Sequence, residues 1–128
     1  MRLLLDTHAL IWALAGSRKL SRTARDAIAS LDNEILVSAA SGMEVATKVR
    51  LGKLPEAEAL AREFEQALAA ADYIGLPISV AHAAFAGRLA IGHKDPFDRL
   101  LIAQAQIEQV PLVSNEQLFD QFGVERLW

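Results

Sequence analysis

Residues Arg2 to His8 read R-L-L-L-D-T-H, an apolar run that stops on an aspartate. A run this short suffices for a strand buried on both faces, the kind found in parallel sheets. In open α/β sheets, ligands sit outside the carboxyl ends of the strands. A carboxylate at such an end therefore faces a ligand crevice. Asp6 also stands where a helix beginning near Thr7 needs an N-cap, and an aspartate side chain supplies one. The residue alone does not choose between cap and ligand site.

Working outward, apolar strands and helical stretches alternate along the chain. Leu3–Leu5 reads as the first strand, and Thr7–Leu14 as a helix ended by Gly16. Ser21 caps a helix over Arg22–Leu31, and Glu34–Val37 is a second strand. Ser38 or Ser41 caps a helix running to Leu51, which Gly52 closes. Pro55 opens an Ala-rich helix expected to continue to about Ala71; its composition suits close packing, including against another subunit. Tyr73–Leu76 is a third strand, and Ser79 caps a helix to about Leu89. A loop over Gly92–Pro96 precedes a helix over Phe97–Glu108. Val110–Val113 is a fourth strand, Asn115–Phe119 a short helix, and Val124–Leu127 a terminal edge strand. This alternation predicts βαβ units and one α/β domain over 1–128, a three-layer α/β/α sandwich around a short, mostly parallel sheet.

The 128 residues fit one domain, and 52% hydrophobic content provides a core without staples. With no cysteine, disulfides, thiolate catalysis and Cys-bound zinc are excluded. That usage fits a reducing, cytoplasmic setting. The first apolar run is broken by Asp6 and His8, unlike a signal peptide, and no apolar stretch is long enough to cross a bilayer. A net charge of −3 and a pI near 5.6 argue against a general nucleic-acid coat. They leave room for a site where carboxylates hold cations, because a bound metal inverts the local sign.

The acids follow the strands. Asp6 follows the first, Ser38 to Glu44 the second, and Asn115 and Glu116 the fourth. In a parallel sheet all emerge on one edge. Asp98, in D-P-F-D-R-L-L-I-A-Q-A, shares a helix face with Leu101 and Ile102. A carboxylate on that buried stripe is costly unless compensated. The helix N-terminus compensates part of it, and a metal ion would add more. Asp95, before Pro96, reads as that helix's cap. Glu44 pairs with Lys48 at helical spacing, an ordinary surface arrangement, and only its place after a strand sets it apart. Converging acids without cysteine or clustered histidine suit Mg²⁺ or Mn²⁺. Thr7, Ser38, Ser114 and Asn115 are candidates to orient ligands or water. His8 and His82 read as packing residues, while loop His93 beside Lys94 is a candidate phosphate contact. G-R-L-A-I-G-H-K (Gly87–Lys94) approaches a P-loop but fails it, because the lysine does not follow the second glycine and a helix precedes it. No G-x-G-x-x-G occurs.

Four segments together resemble the PIN-domain ribonucleases, and among them the VapC toxins of toxin–antitoxin pairs: L-L-L-D-T-H-A-L-I-W (Leu3–Trp12), V-S-A-A-S-G-M-E-V-A-T-K-V-R-L-G-K-L (Val37–Leu54), D-P-F-D-R-L-L-I-A-Q-A (Asp95–Ala105) and L-V-S-N-E-Q-L-F (Leu112–Phe119). The resemblance implies a catalytic, metal-holding set of Asp6, Glu44, Asp98 and Glu116. Glu116 departs from the usual aspartate, and Met43 stands where an aromatic is common. It further implies an Mg²⁺- or Mn²⁺-dependent endoribonuclease, usually a homodimer, with RNA as substrate. A small antitoxin would assemble with it, its tail in the active groove. Lys48, Lys94, Arg99 and His93 are then candidates to steer the RNA backbone. Two alternatives stay open. One is a non-catalytic module of this fold that binds a partner or RNA. The other is a haloacid-dehalogenase-like phosphatase, which also opens on a strand ending in Asp but carries a second Asp where this chain has His8.

Overall fold

The structure, a computed structural model, describes residues 1–128. Its centre is the R-L-L-L stretch. Strand β1 (Arg2–Leu5) pairs on one side with β2 (Glu34–Ser38) and on the other with β4 (Leu112–Val113). Outside these lie β3 (Ile74–Leu76) beside β2 and β5 (Arg126–Leu127) beside β4. The order is β3-β2-β1-β4-β5, and every pairing is parallel. The five C-terminal ends therefore share one edge, and β1 delivers Asp6 to the middle of it.

Alternation along β1 divides the core between two faces. Leu3 and Leu5 join Ile35, Val37 and Val113 under α1 (Thr7–Ala15), α2 (Arg22–Ala29) and α5 (Phe64–Ala70), through Leu10, Ala24 and Leu68. Leu4 and Leu36 face the other way, against Leu101, Ile102 and Ala105 of α7 (Pro96–Glu108), with α6 (Val80–Arg88) packed on α7. A third cluster, Ile11, Val45, Leu54 and Ala57, joins α1 to α3 (Ala39–Arg50). The arrangement is the expected α/β/α sandwich, and all three leucines of β1 are fully buried.

Several boundaries differ from the sequence expectation. The single helix over Pro55–Ala71 is broken into a 3₁₀ turn (Pro55–Ala57), α4 (Glu58–Arg62) and α5. Glu63 leaves the helical region at φ −131°, ψ 46°. That break lets Phe64 lie over Gly42 of α3, where an added Cβ would stand 3.4 Å from its ring. Tertiary packing of this kind competes with the helix propensity of the alanines. Helix α2 stops at Ala29, leaving Leu31 fully exposed. Strand β4 holds only Leu112 and Val113. The short helix after it is 3₁₀ and starts at Gln117 rather than Asn115. The terminal edge strand forms, shortened from the expected Val124–Leu127 to Arg126 and Leu127.

Candidate active site

Asp6 does both things its position allowed. Its Oδ1 accepts the Ala9 N–H at 2.7 Å, capping α1, and its own N–H bonds Val113 O of β4 at 3.0 Å. The side chain is almost wholly buried. Burial, reinforced by the negative charge of Glu116, raises its carboxyl from 3.8 to about 6. Hydrogen bonding from Ser114 and from the Ala9 N–H, and the nearby His8, oppose that rise. A cap alone does not need a carboxylate held this close to neutrality.

Glu44 reaches the same edge from α3, which Ser38 caps by accepting the Ala40 N–H at 2.9 Å. It is buried, and both of its oxygens are held. Thr7 Oγ1 donates to Oε1 at 2.6 Å, and Lys48 Nζ donates to Oε2. Thr7 Oγ1 also meets Ser41 Oγ at 3.0 Å, so the first turn of α1 and the middle of α3 are tied by a polar triad. The Glu44 bond holds the Lys48 ammonium above its ordinary value. The pair expected on the surface is thus folded inward.

Asp98 enters from the first turn of α7. Asp95 caps that helix, its Oδ1 accepting from Phe97 N and Asp98 N at 2.9 and 3.1 Å. Burial raises the Asp98 carboxyl, and the negative charges of Asp95 and Glu116 add to it; a hydrogen bond from His93, Nε2 to Oδ2 at 2.7 Å, works the other way. Glu116 sits on the turn after β4, its N–H bonded to Ser114 Oγ at 3.0 Å. Its carboxylate has no hydrogen-bond partner, so it is the one acid of the group free to swing. Arg126, paired with Asp120, holds this turn by donating to Ser114 O at 3.1 Å.

Asp6, Glu44, Asp95, Asp98 and Glu116 line one hollow of about 70 Å³, with Lys48, Thr7, His8 and Leu101 completing the wall. Five carboxylates facing one cation leave an excess of negative charge. A larger cavity, about 820 Å³, lies at the opposite, N-terminal ends of β2 and β3, beside Asn33, Glu34, Tyr73 and Ile74. It gathers no comparable set of acids, so chemistry rather than size selects the hollow. The all-oxygen donor set fits a hard cation that keeps part of its water shell. No three of these donors stand close enough together to cage an ion unaided, so side-chain movement or water would complete the coordination.

The model of the PIN domain family matches residues 3–125. The chain is a PIN domain. That assignment removes the phosphatase alternative. The fold of this PIN domain superposes on that of VapBC2 from Rickettsia felis, solved bound to a DNA fragment from their promoter, with a TM-score of 0.70, 18% identity and 100% of both chains covered. FitAcB from Neisseria gonorrhoeae gives 0.65 at 18% identity, over 97% of this chain and 95% of that one. A toxin–antitoxin complex from Klebsiella pneumoniae gives 0.61 at 21%, over 89% and 86%. At these identities the likeness is one of fold. No curated protein matches the chain at a significant level.

Within this PIN domain the four proposed acids and Asp95 come together, and so do Thr7 and Lys48. Ser114 is fully buried beneath Asp6 and Glu116, and Ser38 acts only through the cap of α3. Asn115 is exposed, outside the lining of the hollow and without a hydrogen-bond partner. Lys94 is exposed and outside the hollow. Two of the residues expected to contact the RNA backbone have other partners in this structure. The Arg99 guanidinium is fully occupied by main-chain carbonyls, and His93 is taken up by Asp98. Two site residues were missed. His8, expected only to pack, lines the hollow and lies 5.5 Å from the Trp12 ring. Ser41 supports Thr7; its place three residues before Glu44 on one helix was the available signal. His82 is buried as expected, but by polar contacts: it forms a capping box with Ser79 and bonds Glu108 through Nε2 at 3.0 Å.

Proposed function

We propose that this PIN domain is a divalent-cation-dependent endoribonuclease, the toxin of a toxin–antitoxin pair. The observation that carries this is the hollow at the C-terminal edge of the sheet, where five carboxylates from four segments converge and one is buried enough to be pushed up to about 6. The solved complexes that share the fold support the toxin half.

Asp6, Glu44, Asp98 and Glu116 would hold Mg²⁺ or Mn²⁺. Such an ion would supply acidification of a water and charge compensation at the phosphate. The chain's own residues prepare the site. Thr7 fixes the Glu44 carboxylate, and Ser114 and the Ala9 N–H fix that of Asp6. Lys48 neutralises part of the acid cluster and keeps a cation at its rim, where a phosphate enters. Glu116, unpartnered and with the longer arm, adjusts to the load. Partners of this activity are RNA as substrate, a small antitoxin presenting a basic group to the acids, and a second copy in a homodimer.

Induced expression tests the toxin role in the cell. Growth is expected to arrest, and Asp6→Asn to relieve the arrest at equal protein level. Normal growth with abundant folded protein would overturn the assignment.

A further inference from the structure

Arg99 and His93 form a device that the acid set alone does not explain. A guanidinium has five N–H donors, and all five of Arg99 find main-chain carbonyls. Nε donates to Ala86 O (2.9 Å), Nη2 to Gly87 O (3.3 Å) and Leu89 O (2.7 Å), and Nη1 to Ile91 O (3.3 Å) and His93 O (2.9 Å). These carbonyls belong to the end of α6 and the segment after it, which has no regular structure of its own. Arg99 thereby fixes the path of the chain that carries His93. The Phe122 ring lies beside that of His93, centroids 6.0 Å apart and planes tilted by 34°. So held, His93 donates from Nε2 to Asp98 Oδ2 at 2.7 Å. Asp98 Oδ1 has no hydrogen-bond partner, so one oxygen of this carboxylate is committed and the other is left for a ligand.

We infer that Arg99 and His93 are positioning residues that restrict Asp98 to offering a cation one oxygen, and so favour a small octahedral ion such as Mg²⁺ over Ca²⁺. The inference rests on the cation-binding role proposed above. Mg²⁺ requires near-ideal octahedral geometry, whereas Ca²⁺ accepts bidentate carboxylates and higher coordination. A carboxylate free to rotate loses the first preference and gains the second. Groups that orient metal-bound carboxylates typically contribute tenfold to a hundredfold in affinity.

The test is calorimetric titration of the full-length chain with Mg²⁺ and, separately, Ca²⁺, with no RNA present. His93→Ala is expected to weaken Mg²⁺ binding by about tenfold to a hundredfold and Ca²⁺ binding by less, lowering the ratio of the two affinities. His93→Gln, which keeps a side-chain N–H, is expected to restore much of that ratio. Arg99→Lys keeps the charge but offers three donors to five carbonyls, and is expected to shift the ratio in the same direction as His93→Ala. If His93→Ala fails to fold, the other two variants decide. Unchanged or tighter Mg²⁺ binding in the variants, or an equal loss for both ions, would overturn the inference. The parent and Asp6→Asn separate this outcome from failure of the underlying reading. A parent that binds no Mg²⁺ refutes both; a parent whose binding depends on Asp6 leaves only the role of His93 and Arg99 at stake.

Discussion

Asp6 carries the largest consequence of any single residue. A carboxyl raised from 3.8 to about 6 binds its proton more tightly in the folded chain than in the unfolded one. Between those values the native state holds more protons, so stability falls as pH rises through this window and then levels off. The span corresponds to about 3 kcal/mol. In chelator, Asp6→Asn is expected to melt higher than the parent at pH 7.5, with the gap closing toward pH 4; asparagine keeps the helix cap. A gap of the same size at both pH values would contradict the burial account. Thr7→Val removes a donor from buried Glu44 and a partner from Ser41, and urea unfolding is expected to show a loss of about 1–3 kcal/mol. Asp6 and Asp98 were legible because each broke a local rule: a charge at the end of a buried run, and a charge on an apolar stripe. Glu44 was legible only by its place after a strand, since its lysine at helical spacing also describes a surface pair. The partners of Arg99 and His93 were not legible, because they depend on where the loop after α6 returns, and no periodicity encodes that.

At the scale of elements, the strand ends do the positioning. Asp6, Glu44 and Glu116 all follow strands of the central trio β2-β1-β4, and α7 brings Asp98 from the face opposite α1. The segment between α6 and α7 has no regular structure of its own and is held by Arg99 and by the cap at Asp95. Arg99→Ala is expected to raise amide hydrogen exchange across residues 86–94 by more than about tenfold, since charged hydrogen bonds contribute about 1.5–3 kcal/mol each, while β1 and β2 stay protected. Uniformly faster exchange would mean instead that Arg99 supports the whole fold. Strand and helix order was readable from alternation and caps, with Ser21, Ser38, Ser79 and Asp95 all capping as their sequence suggests. The break at Glu63 was hidden because alanine and glutamate favour helix throughout that stretch, whereas the break goes with a long-range approach of Phe64 to Gly42.

For the molecule as a whole, the charge balance takes on a different meaning once the hollow is located. Of 13 basic and 16 acidic residues, Lys48 and five acids line it, leaving 12 basic and 11 acidic elsewhere. The negative balance is therefore concentrated at the site, where a bound divalent cation would invert the local sign for a polyanionic substrate. Composition counts charges without placing them, so this was beyond the sequence. Strand order was likewise beyond it, since parallel pairing joins segments far apart in the chain. The central claim, that the acids of the hollow cleave RNA with a divalent cation, is tested most directly by incubating purified protein with a mixed RNA pool in Mg²⁺ or Mn²⁺. Discrete cleavage is expected from the parent, lost in chelator and lost in an Asp6→Asn variant that melts as a folded protein. Cleavage that persists undiminished in chelator or in Asp6→Asn, or an inert parent with either ion, would contradict it.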